Sequence, residues 1–207
     1  MMDEARRQDT GRLALAIGIA GAGSAACLAT YFAVQGPFGT INDIGTAATG
    51  VLSAGLAWRL RRQIRGRASD LSVGTAIVGA GLTVAGSALV VSGTTGFFFA
   101  GLVSSVGFAG IGAWLVVLNK GDAVAAVAPR SLRSLGIAAG ALMALGTIAA
   151  PGIVLRLDDM AAAPAWAWIG LLGWLGIFVA YPAWAIWFAN VDVRRGRVIA
   201  VHDGARA

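Results

Sequence analysis

FFFAGLVSSVGFAGIGAWLVVL, residues 97–118, is a run of 22 residues without a charged side chain. An α-helix rises about 1.5 Å per residue, so about 20 residues span the hydrocarbon core of a bilayer, which is about 30 Å thick. A helix of a soluble domain would carry a polar stripe on the face that meets water. This run has no such stripe, and it predicts a transmembrane helix.

The rest of the chain repeats this pattern. Hydrophobic residues make up 57% of its 207 positions and charged residues 13%, against about 45–50% and about 25% in soluble domains. The remaining residues suffice only for short loops and tails. We therefore predict an all-α fold, a polytopic bundle of six transmembrane helices that forms a single integral membrane domain over residues 1–207. The predicted spans cover residues 13–34, 41–58, 73–91, 97–118, 135–155 and 165–188.

The positive charges are confined to alternate connections between the spans. If the N-terminus is cytoplasmic, fifteen of the sixteen Lys and Arg residues lie on the cytoplasmic side, and only Arg156 lies outside. Short loops rich in Lys and Arg stay on the cytoplasmic side of a membrane. This asymmetry predicts six spans with both termini in the cytoplasm. The Ala, Gly and Arg bias further indicates a bacterial chain, and hence a multi-pass protein of the bacterial cell (inner) membrane.

A net charge of +6 and an isoelectric point near 11 are also found in nucleic-acid-binding proteins. Here the basic residues stand at the ends of apolar blocks, where they meet anionic headgroups instead. We therefore expect membrane lipids as partners, with anionic headgroups on the cytoplasmic side, and no nucleic acid. The residues predicted to contact these headgroups are Arg61, Arg62, Arg65 and Arg67.

Small residues at four-residue spacing predict close helix packing in the fourth and fifth spans. Such residues let helix backbones approach each other, which is how helices associate in a membrane. The partner is either another span of the same chain or a second copy, in a homo-oligomer. The predicted packing residues are Gly101, Ser105 and Ala109 in the fourth span, and Gly136 and Gly140 in the fifth.

Two prolines and the tryptophans supply further landmarks in the spans. Pro151 and Pro182 predict either kinks close to helix ends or broken helices of the kind that bind substrates in transporters. Trp166 and Trp168 predict one aromatic belt of the sixth span, and Trp184 and Trp187 the other. Trp174 falls between the belts, so its indole N–H requires a hydrogen-bond partner or a position facing the bundle.

Asn42 and Asp43 are the only strongly polar pair at the start of a predicted span. A side-chain oxygen at a helix N-terminus caps free N–H groups and suits the positive end of the helix dipole. Alternatively, the carboxylate lines a vestibule that opens to the outside. We favour the cap because the pair lies at the boundary between loop and helix.

No Asp, Glu, Lys, Arg or His falls near the middle of a predicted span, and the single histidine, His202, lies in the C-terminal tail. Proton relays, intramembrane hydrolases and metal sites require such groups. The glycines match neither a phosphate-binding loop nor a dinucleotide fingerprint. Asp158 and Asp159 are expected in a solvated loop. We therefore predict no enzyme, and no catalytic residue, cofactor or metal.

Residues 36–45, GPFGTINDIG, followed by a helix of small residues, resemble a segment of small multi-span bacterial membrane proteins. The resemblance covers about the first and second spans. It implies a membrane bundle in which Asn42 and Asp43 serve the shared structure, and it brings no activity with it.

Two functions remain open. Packing faces, short loops and the missing ionisable groups favour a non-catalytic bundle that packs, scaffolds or binds lipid. The alternative is a small transporter or channel for an uncharged or apolar solute, which the size of the bundle and the two prolines permit.

Overall fold

The computed structural model describes residues 2–61, 67–126 and 128–191, and over these residues the chain contains six long helices and no strand. A short helix, Asp122–Ala125, lies between the fourth and fifth of them. The prediction of an all-α chain with six long helices is confirmed. The helices are α1 (Met2–Val34), α2 (Phe38–Leu60), α3 (Arg67–Val91), α4 (Phe97–Lys120), α5 (Arg130–Val154) and α6 (Ala165–Val191).

Five of the six helices are long and apolar enough to cross a membrane, namely α1 from Gln8 onward, α3 from Asp70 onward, α4, α5 and α6. Large apolar side chains such as Ile19, Val78 and Val179 are exposed on the outer surface of the bundle. Exposed apolar surface of this extent is typical of proteins whose surroundings are lipid. The chain is therefore a multi-pass membrane protein.

Helix α2 has the length of a span but falls short of the other five in apolarity. The polar residues that lower its hydropathy are buried inside the bundle, so they do not face the surroundings. The buried polar residues of α2 are Asn42, Asp43, Thr46, Thr49 and Ser53. This helix therefore supplies a polar seam to an otherwise apolar interior.

The helices form a closed ring in chain order. Each packs against the next, and α6 returns to α1, where Gly18 and Gly21 lie against Pro182 and Ile186. Helix α4 is the most enclosed of the five apolar helices, since 67% of the residues in its most apolar 18-residue stretch are buried. It packs tightly on α3, where a Cβ atom added to Gly110 would lie 2.6 Å from the carbonyl oxygen of Thr75. Such contacts require glycine.

The two proline-containing helices are irregular within their length. In α5, a 3₁₀ turn at Leu145–Ala149 precedes Pro151. In α6, a π turn at Gly176–Ala180 precedes Pro182. Proline has no N–H to donate, so the preceding turn adopts a different hydrogen-bond pattern. The irregular turns therefore lie within the length of the two helices. This matches the broken helices that the prolines allowed better than kinks close to the helix ends.

The bundle has two distinct ends. One, the turn end, carries residues 35–37, residues 92–96 and the loop 155–164. The other, the basic end, carries Arg59, Lys120 and Arg133. The turn-end connections contact one another, because the Gly96 N–H donates to Asp158 Oδ2 at 2.7 Å and the Phe99 N–H donates to Oδ1 at 3.1 Å. Asp158 thus caps α4 from across the chain and is more than the solvated loop residue that we expected.

Candidate functional site

A cavity of about 30 Å³ lies between α1, α2, α3, α4 and α6, on the turn-end side of the bundle. A cavity needs roughly 10–15 Å³ to hold one water molecule, so this one accommodates about two waters or a ligand of similar size. Oxygen-bearing side chains and aromatic rings share its wall. The polar lining residues are Asn42, Asp43, Thr46, Ser104 and Ser105, and the aromatic ones are Phe97, Phe108, Trp174 and Phe178.

The polar wall begins with a cluster between α1 and α2. The Ser24 hydroxyl donates to Asn42, whose two oxygens both lie within hydrogen-bond distance: Oδ1 at 2.8 Å and the carbonyl oxygen at 2.9 Å from Ser24 Oγ. Ser24 Oγ also lies 3.0 Å from Thr46 Oγ1. All three residues are buried. Ser24 stands ten residues before the end of α1, about 15 Å along its axis, so the cluster lies deep in the bundle.

Asp43 stands beside this cluster and is only 9% exposed. Its hydrogen bond is a long one, in which Asn42 Nδ2 donates to Oδ1 at 3.4 Å. No basic side chain forms an ion pair with Asp43 among the residues that the structure describes, where the ion pair found joins Arg59 and Asp9. A buried carboxylate usually has a counter-charge or several donors. Asp43 therefore lines the cavity with carboxylate oxygens that can accept further hydrogen bonds.

The expectation that Asn42 and Asp43 cap α2 is wrong. The helix begins at Phe38, its N-cap residue is Pro37, and no side chain caps it. Proline is favoured around the first turn of a helix because it has no N–H to leave unpaired. Helix α2 therefore starts three residues earlier than predicted, and Asn42 and Asp43 fall in its second turn with their side chains inside the bundle.

The aromatic wall is held by a hydrogen bond to α4. Trp174 Nε1 donates to Ser105 Oγ at 3.2 Å, and Ser105 Oγ donates to the Gly101 carbonyl at 2.7 Å. The Trp174 ring packs edge to face against Phe97 at 6.3 Å and Phe178 at 6.1 Å. The requirement of Trp174 for a hydrogen-bond partner is confirmed. The irregular turn Gly176–Ala180 begins two residues later, so the cavity adjoins the interrupted part of α6.

The predicted packing residues divide between two roles. Gly136 and Gly140 of α5 lie against α4, where a Cβ atom added to Gly112 would lie 2.6 Å from the Gly140 carbonyl oxygen. Their partner is thus a helix of the same chain. Gly101 has only ordinary contact with the Trp174 ring, at 3.6 Å, and it lines the cavity together with Ser105. Ala109 is buried in α4.

The basic-end half of the bundle is closed by a second hydrogen-bonded network. The Tyr181 hydroxyl lies 2.8 Å from Ser53 Oγ, and its ring stacks on Trp184 at 5.9 Å. Trp184 Nε1 donates to Asn119 Oδ1 at 3.3 Å, and Arg133 Nε donates to the Asn119 carbonyl at 3.0 Å. Tyr181 and Trp184 are both fully buried. The network links α2, α4, α5 and α6.

The interfacial position predicted for Trp184 is therefore wrong, because its ring is enclosed in the bundle. Trp168 and Trp187 are exposed on the outer surface of α6, as interfacial residues would be. The sequence does not distinguish a buried tryptophan from an interfacial one here, since both kinds lie within the same apolar helix. The buried Trp184 stands about one helical turn after Tyr181, on the face that meets α2 and α4.

The predicted headgroup residues are only partly described. Arg62 and Arg65 lie outside the described residues, and Arg67 begins α3. The Arg61 guanidinium lies over the Trp58 ring, 3.3 Å from its centre. Trp58 is exposed, as is expected for a residue at a membrane surface.

Among the described residues, no group of three or more His, Cys, Asp or Glu side chains could hold a metal ion. The geometry is that of a membrane helix bundle with a partly polar cavity near the turn end and a hydrogen-bonded network near the basic end. Comparisons with models of protein families, with curated proteins and with solved structures find no match to this chain.

Proposed function

We propose that the chain is a six-span protein of the bacterial inner membrane, with both termini in the cytoplasm and the turn end outside. Helix α2 serves as the sixth span. Its 23 residues correspond to about 34 Å, and its polar side chains avoid lipid by facing the interior. The basic asymmetry supports this orientation, because Arg59, Lys120 and Arg133 share one end.

Topology reporters test this arrangement. A reporter fused after Ala207 should read cytoplasmic, and Thr94→Cys, in a chain with Cys27→Ala, should react with a membrane-impermeant thiol reagent added outside intact cells. Thr94 is an exposed residue of the turn between α3 and α4. A periplasmic C-terminus would overturn the six-span topology.

We further propose that the bundle is a small transporter or channel, in which solute enters the cavity from outside. The observation that carries this proposal is the buried polar wall of Asn42, Asp43 and Thr46 beside open volume. Asn42 and Thr46 are hydrogen-bonded to Ser24, whereas Asp43 has one long hydrogen bond beside the void, and a poorly paired polar group inside a membrane protein is costly for a bundle that only packs or scaffolds. The polar wall favours a small polar solute over an apolar one.

The interrupted helices support the same function. The 3₁₀ turn of α5 packs on the part of α6 that precedes its π turn, where a Cβ atom on Gly173 would lie 3.3 Å from the Gly146 nitrogen. Broken helices beside a binding site are a recurrent feature of transporters, because their backbone can rearrange at low cost. Movement at these turns would open the closed network of Tyr181 and Trp184 toward the cytoplasm.

Solute flux tests this function. Purified protein in liposomes is challenged with osmotic gradients of urea or glycerol, or with ammonium or methylammonium salts, and light scattering follows the volume change. At least one solute should permeate faster than through protein-free liposomes. Thr46→Leu, which fills the cavity, should remove the difference, whereas Gly81→Leu, at a site with no neighbouring atom within 4 Å, should keep it. Equal permeation with and without protein would contradict the proposal.

The arginines between α2 and α3 give a further proposal, that Arg61, Arg62, Arg65 and Arg67 bind anionic headgroups on the cytoplasmic face. Each basic residue near an anionic surface contributes about 1 kcal/mol. Native mass spectrometry should show retained anionic lipid that is lost when these arginines are replaced by Gln. Equal retention of zwitterionic lipid would count against this contact.

A further inference from the structure

The Asp43 carboxyl group has no counter-charge among the described residues. It is 9% exposed, it forms no ion pair within the described part of the chain, and its hydrogen bond to Asn42 is 3.4 Å long. A carboxylate held away from water needs either a proton or a cation. The cavity favours a cation, because a cation would also occupy the open volume beside Asp43, which a proton would leave unfilled.

The surroundings of Asp43 match a small cation. Thr46, Ser104 and Ser105 bring neutral hydroxyl oxygens to the same cavity, and oxygen atoms are the ligands that hard cations prefer. Trp174 and Phe178 also line the cavity, and an aromatic ring attracts a cation that lies over its face. The volume of about 30 Å³ excludes large organic cations.

The charge of the site selects the valence. One carboxylate balances one positive charge, whereas sites for Ca²⁺ or Mg²⁺ use more than one carboxylate or a phosphate of the substrate. Asp43 is the one acidic residue among the described residues that line the cavity.

We infer that the cavity is a binding site for a small monovalent cation, an alkali metal ion or ammonium, held between the Asp43 carboxylate, the hydroxyls of Thr46 and Ser105, and the Trp174 ring. This inference rests on the proposed function only where it gives the bound cation a role, as the transported ion or as the coupling ion. The binding itself is a property of the purified protein. Its occupant would complete the hydrogen bonding and the charge balance of the polar wall.

Thermal unfolding of the purified full-length protein tests the site. The protein in detergent is kept in N-methylglucamine chloride, whose cation is too large for the cavity, and that salt is exchanged for sodium, potassium or ammonium chloride at constant ionic strength. At least one small cation should raise the unfolding temperature in a saturable manner. Asp43→Asn should abolish the rise, whereas Asp159→Asn, a carboxylate in an exposed loop, should retain it.

A second variant and a second readout guard against a folding defect of Asp43→Asn. Thr46→Val keeps the carboxylate and should weaken binding of the same cation. Trp174 lines the site, so the tryptophan fluorescence change on cation addition should be lost in Trp174→Phe. Absence of any cation effect in the wild type, or an equal effect in Asp43→Asn, would overturn the inference.

The cation site and the transporter function can be contradicted independently of each other. Urea or glycerol flux without cation binding would contradict the cation site and leave the transporter proposal standing. Saturable cation binding without flux of any solute would support the site and contradict the transporter.

Discussion

The two halves of the bundle differ in whether open volume adjoins their buried polar groups, although each half contains paired and unpaired groups, among them Trp114 Nε1, which has no hydrogen-bond partner among the described residues of the basic-end half. At the basic end, Ser53, Tyr181, Trp184 and Asn119 form a hydrogen-bonded network among fully buried side chains. At the turn end, Asp43 faces a cavity with one long hydrogen bond. Satisfied networks stiffen a structure, and unsatisfied groups beside a cavity mark places where something binds. The basic-end half is thus built as a closed scaffold, and the turn-end half as a site.

The largest expected effect concerns the close packing of the scaffold half. Gly140→Leu forces a side chain against the backbone of α4 at Gly112, and overpacking of this kind costs about 1–3 kcal/mol or more. The unfolding temperature in detergent should fall sharply. Gly81→Leu is the matched control, because no atom lies within 4 Å of an added Cβ there. Equal stability of the two variants would show that α5 does not pack on α4 through this face.

The next effect concerns the turn end. Asp158→Ala removes the acceptor for the Gly96 and Phe99 N–H groups, and loss of a helix cap costs about 0.5–2 kcal/mol. Asp159→Ala is the comparison, since Asp159 bonds only the nearby Ala161 N–H. Thermal unfolding of both variants measures the difference. If Asp159→Ala proves as damaging as Asp158→Ala, the capping of α4 across the chain contributes nothing.

A smaller loss is expected from the network of the scaffold half. Tyr181→Phe removes the hydroxyl that lies 2.8 Å from Ser53 Oγ, and a buried hydrogen bond contributes about 0.5–1.5 kcal/mol. Combined with Ser53→Ala, it forms a double-mutant cycle whose coupling energy isolates the pair. A coupling indistinguishable from zero would mean that the two hydroxyls do not stabilise each other.

The smallest change in stability is expected at the site itself. Asp43→Asn keeps the shape of the side chain and removes a buried charge without a counter-charge, so the unfolding temperature in N-methylglucamine should stay the same or rise. Ser53→Ala, in the other half, should lower it. A large destabilisation by Asp43→Asn in the absence of small cations would place Asp43 in the scaffold and remove the contrast between the halves.

The six helices could be predicted because each apolar block is about as long as a membrane span and arginines mark alternate connections. Both features are visible in the local sequence. The start of α2 could not be predicted, since Pro37 reads equally well as a turn residue or as the beginning of a helix. The roles of Asn42, Asp43 and Asp158 were hidden for another reason. Asn42 pairs with Ser24 of α1, Asp158 pairs with Gly96, 62 residues away, and other helices complete the cavity beside Asp43. Sequence spacing along one helix carries no record of such contacts.

The accessibility of single cysteines from outside intact cells tests the contrast between the two halves most directly. In a chain with Cys27→Ala, Ser104→Cys lines the cavity and Ser53→Cys lies in the closed network. We predict that Ag⁺, a thiol-reactive monovalent cation small enough for the cavity, reacts with Ser104→Cys and leaves Ser53→Cys unmodified, with Thr94→Cys in the exposed turn as the reference for full labelling. Protection of Ser104→Cys, or labelling of Ser53→Cys at the same rate, would contradict a bundle that is open at the turn end and closed at the basic end.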